Sequence, residues 1–179
     1  MILSARTISA RLAESGCLSP DAAQKDEKKL VNRDSESGMG GITAKEDREG
    51  TGRYLVISPF AQESLQPASY DLRVSDDMVL LKGSCTLVPS LEWVEIPRDL
   101  AATLRCRSSY GRRGVIISAG FVDPGFRGQL TLCLINMGND DIALKKNDRI
   151  VQMIIHEVRD GGMLYKGRYQ DSHGAIDAR

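Results

Sequence analysis

The stretch GVIISAGFVDPGFRGQLTLCLIN, residues 114–136, decides how this chain is read. Two apolar runs, Val115–Ser118 and Gln129–Asn136, flank Asp123-Pro124-Gly125. Proline presets φ for a turn and glycine tolerates a positive φ, so Asp-Pro-Gly is first a turn signal. The runs on either side are short and rich in residues that favour strands. The segment therefore reads as strand, turn, strand. The same grammar extends outward in both directions. YLVIS, DMVLL, CTLVP, LEWVEI and ATLRC precede it, and DIALK and RIVQMIIHEV follow. Turn residues separate these runs, among them Pro59, Gly83, Pro97, Gly111, Gly138 and Asn147. Many short strands without an intervening helical pattern indicate an all-β sandwich or barrel. The one helical hint inside is PRDLAATL, where Pro97 is placed to open a single turn.

The chain divides by composition. Residues 1–18 carry Ile2, Leu3, Ile8, Leu12 and Ala13 near helical spacing. Ser4 is placed to cap the helix and Gly16 to stop it. Residues 19–52 hold 14 charged residues, several Gly and Ser, and no aromatic, which predicts an exposed insertion. Residues 53–158 form the β domain. Residues 159–179 have too little apolar content for a core and are expected to reach across a surface as an arm.

Charge and composition exclude some functions. Lys and Arg total 24 against 24 Asp and Glu, so the formal net charge is zero. Bulk attraction to nucleic acid is not expected, and an anionic ligand needs a local site. Aromatics at 5% leave no stacking platform for single strands. No apolar run approaches membrane-spanning length, and the first residues lack a secretory apolar region. A cytoplasmic protein with no membrane partner is the expectation. Cys17, Cys85, Cys106 and Cys133 form no C-x-x-C pair, so buried free thiols are expected.

The least ordinary stretch is Arg105–Gly114, with four arginines, two serines and two glycines in ten residues. Arginine forks match phosphate oxygens, hydroxyls add donors, and glycine lets the backbone approach. A charged loop without a ligand is the competing reading of the same composition. Asp123 is either a turn residue or a general base that orients water. Phe126 is either core or a ring against a sugar or base. Asp71 stands at the entry to a strand, where a turn or cap role is the plain expectation. Arg149 and Gln152 break an otherwise apolar strand and face either solvent or a site.

Four elements in this order resemble the dUTPase and dCTP deaminase superfamily. They are Ala68-Ser-Tyr-Asp-Leu72, Arg107-Ser-Ser-Tyr-Gly-Arg-Arg-Gly114, Val122-Asp-Pro-Gly-Phe-Arg-Gly128 and Asp148-Arg-Ile-Val-Gln-Met153. The similarity runs from about Ser64 to Val158. The opening Met-Ile-Leu-Ser and the late Tyr165–Gln170 are like the deaminase branch, which also includes archaeal-type dUTPases. The glycine-rich fifth motif of other dUTPases is missing.

The resemblance implies a distorted jelly-roll or β-barrel of the dUTPase type with a short N-terminal helix. It implies a homotrimer with sites between subunits. It implies dUTP hydrolysis to dUMP and pyrophosphate, with Asp123 orienting water toward the α-phosphate. Arg107, Ser108, Ser109, Arg112 and Gln152 would hold the triphosphate. Mg²⁺ would be carried by phosphates and water, with Asp71 in reach only through water. Phe126 would pack on the deoxyribose, main-chain groups near Gly120 and Val122 would read the base, and Tyr165, Arg168 and Tyr169 would close over it. Family deaminases carry a catalytic Glu where Cys133 stands here. A neutral thiol is a poor proton carrier, so deamination of dCTP, alone or in a bifunctional deaminase-dUTPase, is the second reading. A non-catalytic nucleotide-binding regulator on the same fold is the third.

Overall fold

The computed structural model describes residues 1–13, 54–118, 120–159 and 162–177. The charged insertion expected at 19–52 lies outside them, as does the end of the first segment. Helix α1 spans Ala5–Ala13. Ser4 caps it, its Oγ accepting the Thr7 amide at 3.3 Å. The helix buries Ile8 completely, and Leu3 just before it is also buried. The Leu3 amide donates to the Ile155 carbonyl at 2.9 Å, and Arg11 pairs with Asp99 at 2.8 Å. A polar helix with one apolar edge is thus fastened to the domain by a few specific contacts.

Strands follow in close succession: β1 (Val56–Ser58), β2 (Leu65–Gln66), β3 (Ser69–Arg73), β4 (Met78–Leu80), β5 (Cys85–Glu95) and β6 (Leu100–Cys106). After a short helix α2 (Ser108–Gly111) come β7 (Val115–Ser118), β8 (Phe121–Val122), β9 (Arg127–Asn136), β10 (Ile142–Leu144) and β11 (Arg149–Glu157). One sheet has the order β1-β5-β9-β7, a second β2-β3-β11-β6-β8, and β10 pairs with β4. All described pairings between strands are antiparallel. The fold is all-β, as expected, with separate sheets in place of a continuously closed barrel.

Strict alternation carries the packing. Along β9, Gly128, Leu130, Leu132, Leu134 and Asn136 are buried, and the residues between them face outward. The inward side chains of both large sheets join one core that includes Leu72, Val88, Leu104, Leu132, Val151 and Met153. Asn136 ends β9 inside the protein. Its amide donates to the Leu80 and Asp140 carbonyls at 2.9 Å, and its oxygen accepts the Gly138 amide at 3.0 Å. Glu92 is wholly buried on β5 and takes both the backbone amide of Arg73 (2.9 Å) and its Nε (2.6 Å). Burial pushes the Glu92 carboxyl upward, against the pull of the Arg73 contacts.

Three expectations change. PRDLAATL holds no helix: the Leu100 amide returns to the Pro97 carbonyl at 3.1 Å, and β6 starts at once. A short run of alanine and leucine does not make a helix when β11 and β8 offer partners on both sides. CTLVP and LEWVEI are one strand, with a register shift between Pro89 and Trp93. Asp71 is not at a turn. It lies in the middle of β3, opposite Gln152, and is completely buried.

Candidate active site

Asp123 begins a β-turn. Its carbonyl accepts the Phe126 amide at 3.2 Å, and Gly125 takes φ +81°. Proline followed by a positive-φ glycine is the pattern of a type II turn. The turn leaves the Asp123 side chain exposed at the rim of a cavity of about 510 Å³. Phe126, Gln129, Cys133, Tyr165 and Tyr169 are among the residues lining that cavity. Phe126 is both core and wall, since it is only 8% exposed and meets Tyr165 edge to face at 5.6 Å between centroids. Val122 is buried, pairs with Ala102 of β6, and lines the same cavity.

Gly120 is required by close approach. A Cβ there would lie 2.8 Å from the Leu104 carbonyl oxygen. Its own carbonyl accepts the Leu104 amide at 2.7 Å, which ties it to β6, and Gly120 is not among the residues lining the cavity.

The tail crosses this region. The Tyr165 amide donates to the Pro124 carbonyl at 2.8 Å, and the Gln170 side chain donates to the Gly125 carbonyl at 2.8 Å. Gln170 also accepts the Arg127 amide at 3.1 Å. Further on, the Gln129 amide donates to the Ser172 carbonyl and Asp171 forms an ion pair with Arg127. The backbone on either side of Phe126 is therefore held by residues some forty positions later. Arg168 lies over the Tyr169 ring at 6.0 Å and is not part of the cavity wall.

A second cavity, of about 400 Å³, is lined by Arg107, Ser109, Tyr110, Arg113, Asp148 and Arg149 together with Asn147. The end of β6, helix α2 and the turn before β11 build it. Behind it, Asp71 pairs with Arg107 Nε at 3.0 Å and lies 3.9 Å from Arg149. Neither Asp71 oxygen accepts a well-angled hydrogen bond among the described residues. Burial raises the Asp71 carboxyl above its usual range, and the Arg107 and Arg149 charges and Gln152 oppose that. Asp71 thus anchors two arginines from below and has no exposed oxygen to offer a metal's water shell. Gln152 sits beside it, its amide 3.4 Å from the Ser69 hydroxyl.

Ser108, at the start of α2, and Arg112, just after its end, are exposed and line neither described cavity. Arg113, Tyr110, Asn147 and Asp148 are site residues that the sequence did not single out. Arg113 stood within the noticed arginine cluster, and Asn147, at φ +74°, marked the turn. Composition shows a cluster but not which of four arginines points inward. Gly114 and Gly138 bring two backbones together after α2, since a Cβ on Gly114 would lie 2.6 Å from the Gly138 amide nitrogen. A Cβ on Gly138 would collide with the Arg113 carbonyl oxygen. Cys17 lies outside the described residues, and the other three cysteines are less buried than expected. Cys85 is exposed, Cys106 and Cys133 are half-buried, and burial pushes Cys106 up to about 11.

Comparison with known proteins meets this geometry. The dCTP deaminase of Pyrococcus horikoshii is 37% identical over 134 residues, 66% of this chain and 86% of the relative. The chain belongs to the dCTP deaminase-like family. The family profile described as "dCTP deaminase-like" matches residues 75–158, which include the arginine cavity and Asp123. A dCTP deaminase described as dUMP-forming, from Halobacterium salinarum, is 40% identical over 111 residues, 58% of this chain and 57% of the relative. Among solved structures, the EIAV dUTPase superposes with a TM-score of 0.52 at 19% identity, over 65% of this chain and 98% of that one. A mutant dUTPase from phage phi11 of S. aureus, whose structure describes a structural Mg(II) ion, gives 0.50 at 15% identity, over 64% and 98%. The fold is therefore that of the dUTPases, and the sequence relatives carry deaminase names. Among the described residues no helix is long and apolar enough to cross a membrane.

Proposed function

We propose that this family member hydrolyses dUTP to dUMP and pyrophosphate. The observation that carries this reading is the lining of the Asp123 cavity, where Cys133 and not a second carboxylate stands on β9. Deamination at cytosine C4 needs a group that takes a proton from water and returns it to the leaving amine. The hydrogen bond with Cys85, together with burial, holds the Cys133 thiol above its ordinary value, so it is neutral at pH 7 and a poor base. Phosphate-ester hydrolysis asks less of that lining. Asp123, exposed on its turn, accepts a proton from water as the oxygen attacks the α-phosphorus, and pyrophosphate leaves. Arg107, Ser109, Arg113 and Arg149 supply fixed donors for the charge that develops on the phosphates. Phe126 and Tyr165 form an apolar wall for the sugar. The tail, residues 162–177, acts as the cover.

The two cavities share no lining residue on one chain. A nucleotide that uses both Asp123 and the arginines is best accommodated between copies, which supports the homotrimer expected from the resemblance. Among the described residues no group of three His, Cys, Asp or Glu could cage a metal. Mg²⁺ enters this reading as the counter-ion of the triphosphate, on phosphate oxygens and water, and no step depends on a protein ligand to it. The second reading, dCTP deamination, alone or leading on to dUMP, is favoured by the names of the relatives.

The deciding experiment incubates the full chain with Mg²⁺ and either dUTP or dCTP and resolves the products. Pyrophosphate and dUMP from dUTP support the proposal. Ammonia from dCTP would overturn it in favour of the second reading. Asp123→Asn is expected to keep nucleotide binding and lose most turnover. Wild-type rates in that variant would remove Asp123 as the base.

A further inference from the structure

Cys133 is not a solitary replacement. Its Sγ lies 3.2 Å from the Sγ of Cys85 on the neighbouring strand. The register pairs Leu87 with Cys133 and Cys85 with Ile135, so the two cysteines are diagonal neighbours on the outward face of β5 and β9. Cys85 is exposed at the start of β5, while Cys133 lines the Asp123 cavity. No other described cysteine has a thiol partner: Cys106 is held in a setting that pushes its thiol up to about 11. We propose that Cys85 and Cys133 form a dithiol–disulfide modification site that a small disulfide of the glutathione type oxidises, stapling β5 to β9 at the lining of the Asp123 cavity.

The chemistry balances without another reactant. The exposed Cys85 loses its proton and attacks one sulfur of the oxidant. A mixed disulfide forms, and one glutathione thiolate leaves and takes up a proton. Cys133 then loses its proton and attacks Cys85 Sγ. The intramolecular S–S bond forms as the second glutathione thiolate leaves and is protonated. Two protein thiols are oxidised and one glutathione disulfide is reduced to two thiols. The order follows from access, since Cys85 faces solvent and Cys133 faces the cavity. Closing the pair from 3.2 Å to a bond of about 2.05 Å is a shift of about 1 Å, within reach of side-chain rotation across a β ladder. Reduction by excess glutathione reverses it. The product removes both thiol protons from the cavity edge and draws the Cys133 sulfur toward β5. This holds whichever nucleotide the cavity takes.

The test equilibrates the full-length protein in glutathione buffers of rising oxidised fraction. Expected is a loss of two thiols per chain and of two hydrogen masses, with no glutathione adduct retained at the end point. Tryptic mapping should join peptide 83–98 to peptide 128–145 by a disulfide. Cys85→Ser should abolish that link, and Cys133→Ser should leave Cys85 with a stable glutathione adduct. Melting of the oxidised wild type should shift upward, and Cys85→Ser should lose the shift. The proposal is overturned if both cysteines stay free across the series, if each carries its own adduct, or if the link joins either of them to Cys17, Cys106 or a second chain.

Discussion

Replacing Gly128 by Ala tests whether the tail is held on β9 by close approach. Gly128 sits second on β9, opposite Val94, with φ +148°. A Cβ there would lie 2.9 Å from both the amide nitrogen and Oγ of Ser172. Two costs follow, and they separate. The backbone strain stays whether or not the tail is docked, and for a non-glycine residue in this region it is about 1–3 kcal/mol. It should lower global stability, with a fall in melting temperature of about 2–4 °C per kcal/mol for a chain of this size. The overlap with Ser172 is relieved if the tail lifts away. At about 2 kcal/mol, in the range for overpacked contacts, it raises the lifted population roughly thirtyfold. Four tail-fastening hydrogen bonds report on lifting: Asp171 N to Arg127 O, Gln129 N to Ser172 O, Gly174 N to Gln129 Oε1, and Ile176 N to Thr131 Oγ1. Amide exchange at those four donors should accelerate by roughly that factor. The amides of Leu132 and Leu134, paired with β5 or β7, should keep their wild-type protection relative to global stability. Unchanged exchange at Asp171 and Gln129 would refute the close-approach argument, and an unchanged melting temperature would refute the strain.

Three further outcomes follow from the same geometry. Asp71→Asn should gain stability relative to wild type as pH rises. The folded-state pKa of Asp71 is raised, chiefly by burial, so its contribution is full below the ordinary value of 3.8 and is lost as pH climbs through the raised value. Urea titrations from acid to neutral pH read this, and a variant that loses stability relative to wild type as pH rises would contradict it. Gly138→Ala drives a Cβ into the Arg113 carbonyl, so it should cost about 1–3 kcal/mol and weaken pyrophosphate binding by displacing α2 and Arg113. Calorimetry with pyrophosphate and a thermal melt check both parts. Cys133→Glu places a carboxylate in the lining of the Asp123 cavity and should confer ammonia release from dCTP above the wild-type level.

Much of the fold was legible because its strands alternate. In β9 every second residue is buried, a period that no helix can satisfy. The Asp-Pro-Gly turn was legible because proline and glycine leave the backbone few alternatives. What stayed hidden depends on distant partners. Asp71 looked like a strand-entry turn residue because nothing local says that Arg107 and Arg149 will close over it. Glu92 and Arg73 are ordinary charges in sequence, nineteen positions apart, yet form the most buried described ion pair. The short β2 and β8 carry too few residues for a periodic signal and exist because β3 and β6 present edges to them. The arginine cluster was visible, but the members that line the cavity were not, since Arg113, just past α2, lines it and its neighbour Arg112 does not.

Charge neutrality is the property that this arrangement explains best. With 24 basic and 24 acidic residues, the chain has no long-range pull on a polyanion. A small triphosphate can still be selected if a few guanidiniums are held apart from the balancing carboxylates. Asp71 does this from one side only. It is buried, so it fixes Arg107 and Arg149 from beneath without presenting an oxygen to the ligand, and both arginine side chains keep about a third of their surface open. Asp148 is the acidic residue that lines the same cavity, and its carboxylate already accepts the Lys145 amide at 2.9 Å. Anionic ligands therefore meet donors first. The cost is the desolvated Asp71 carboxylate, which is why its neutral analogue should be better tolerated as pH rises while the arginines lose their anchor. Stability and phosphate affinity are thus expected to move in opposite directions in Asp71→Asn. Parallel urea and pyrophosphate titrations of that one variant measure both, and a loss in stability at neutral pH with unchanged affinity would show that Asp71 serves the fold alone.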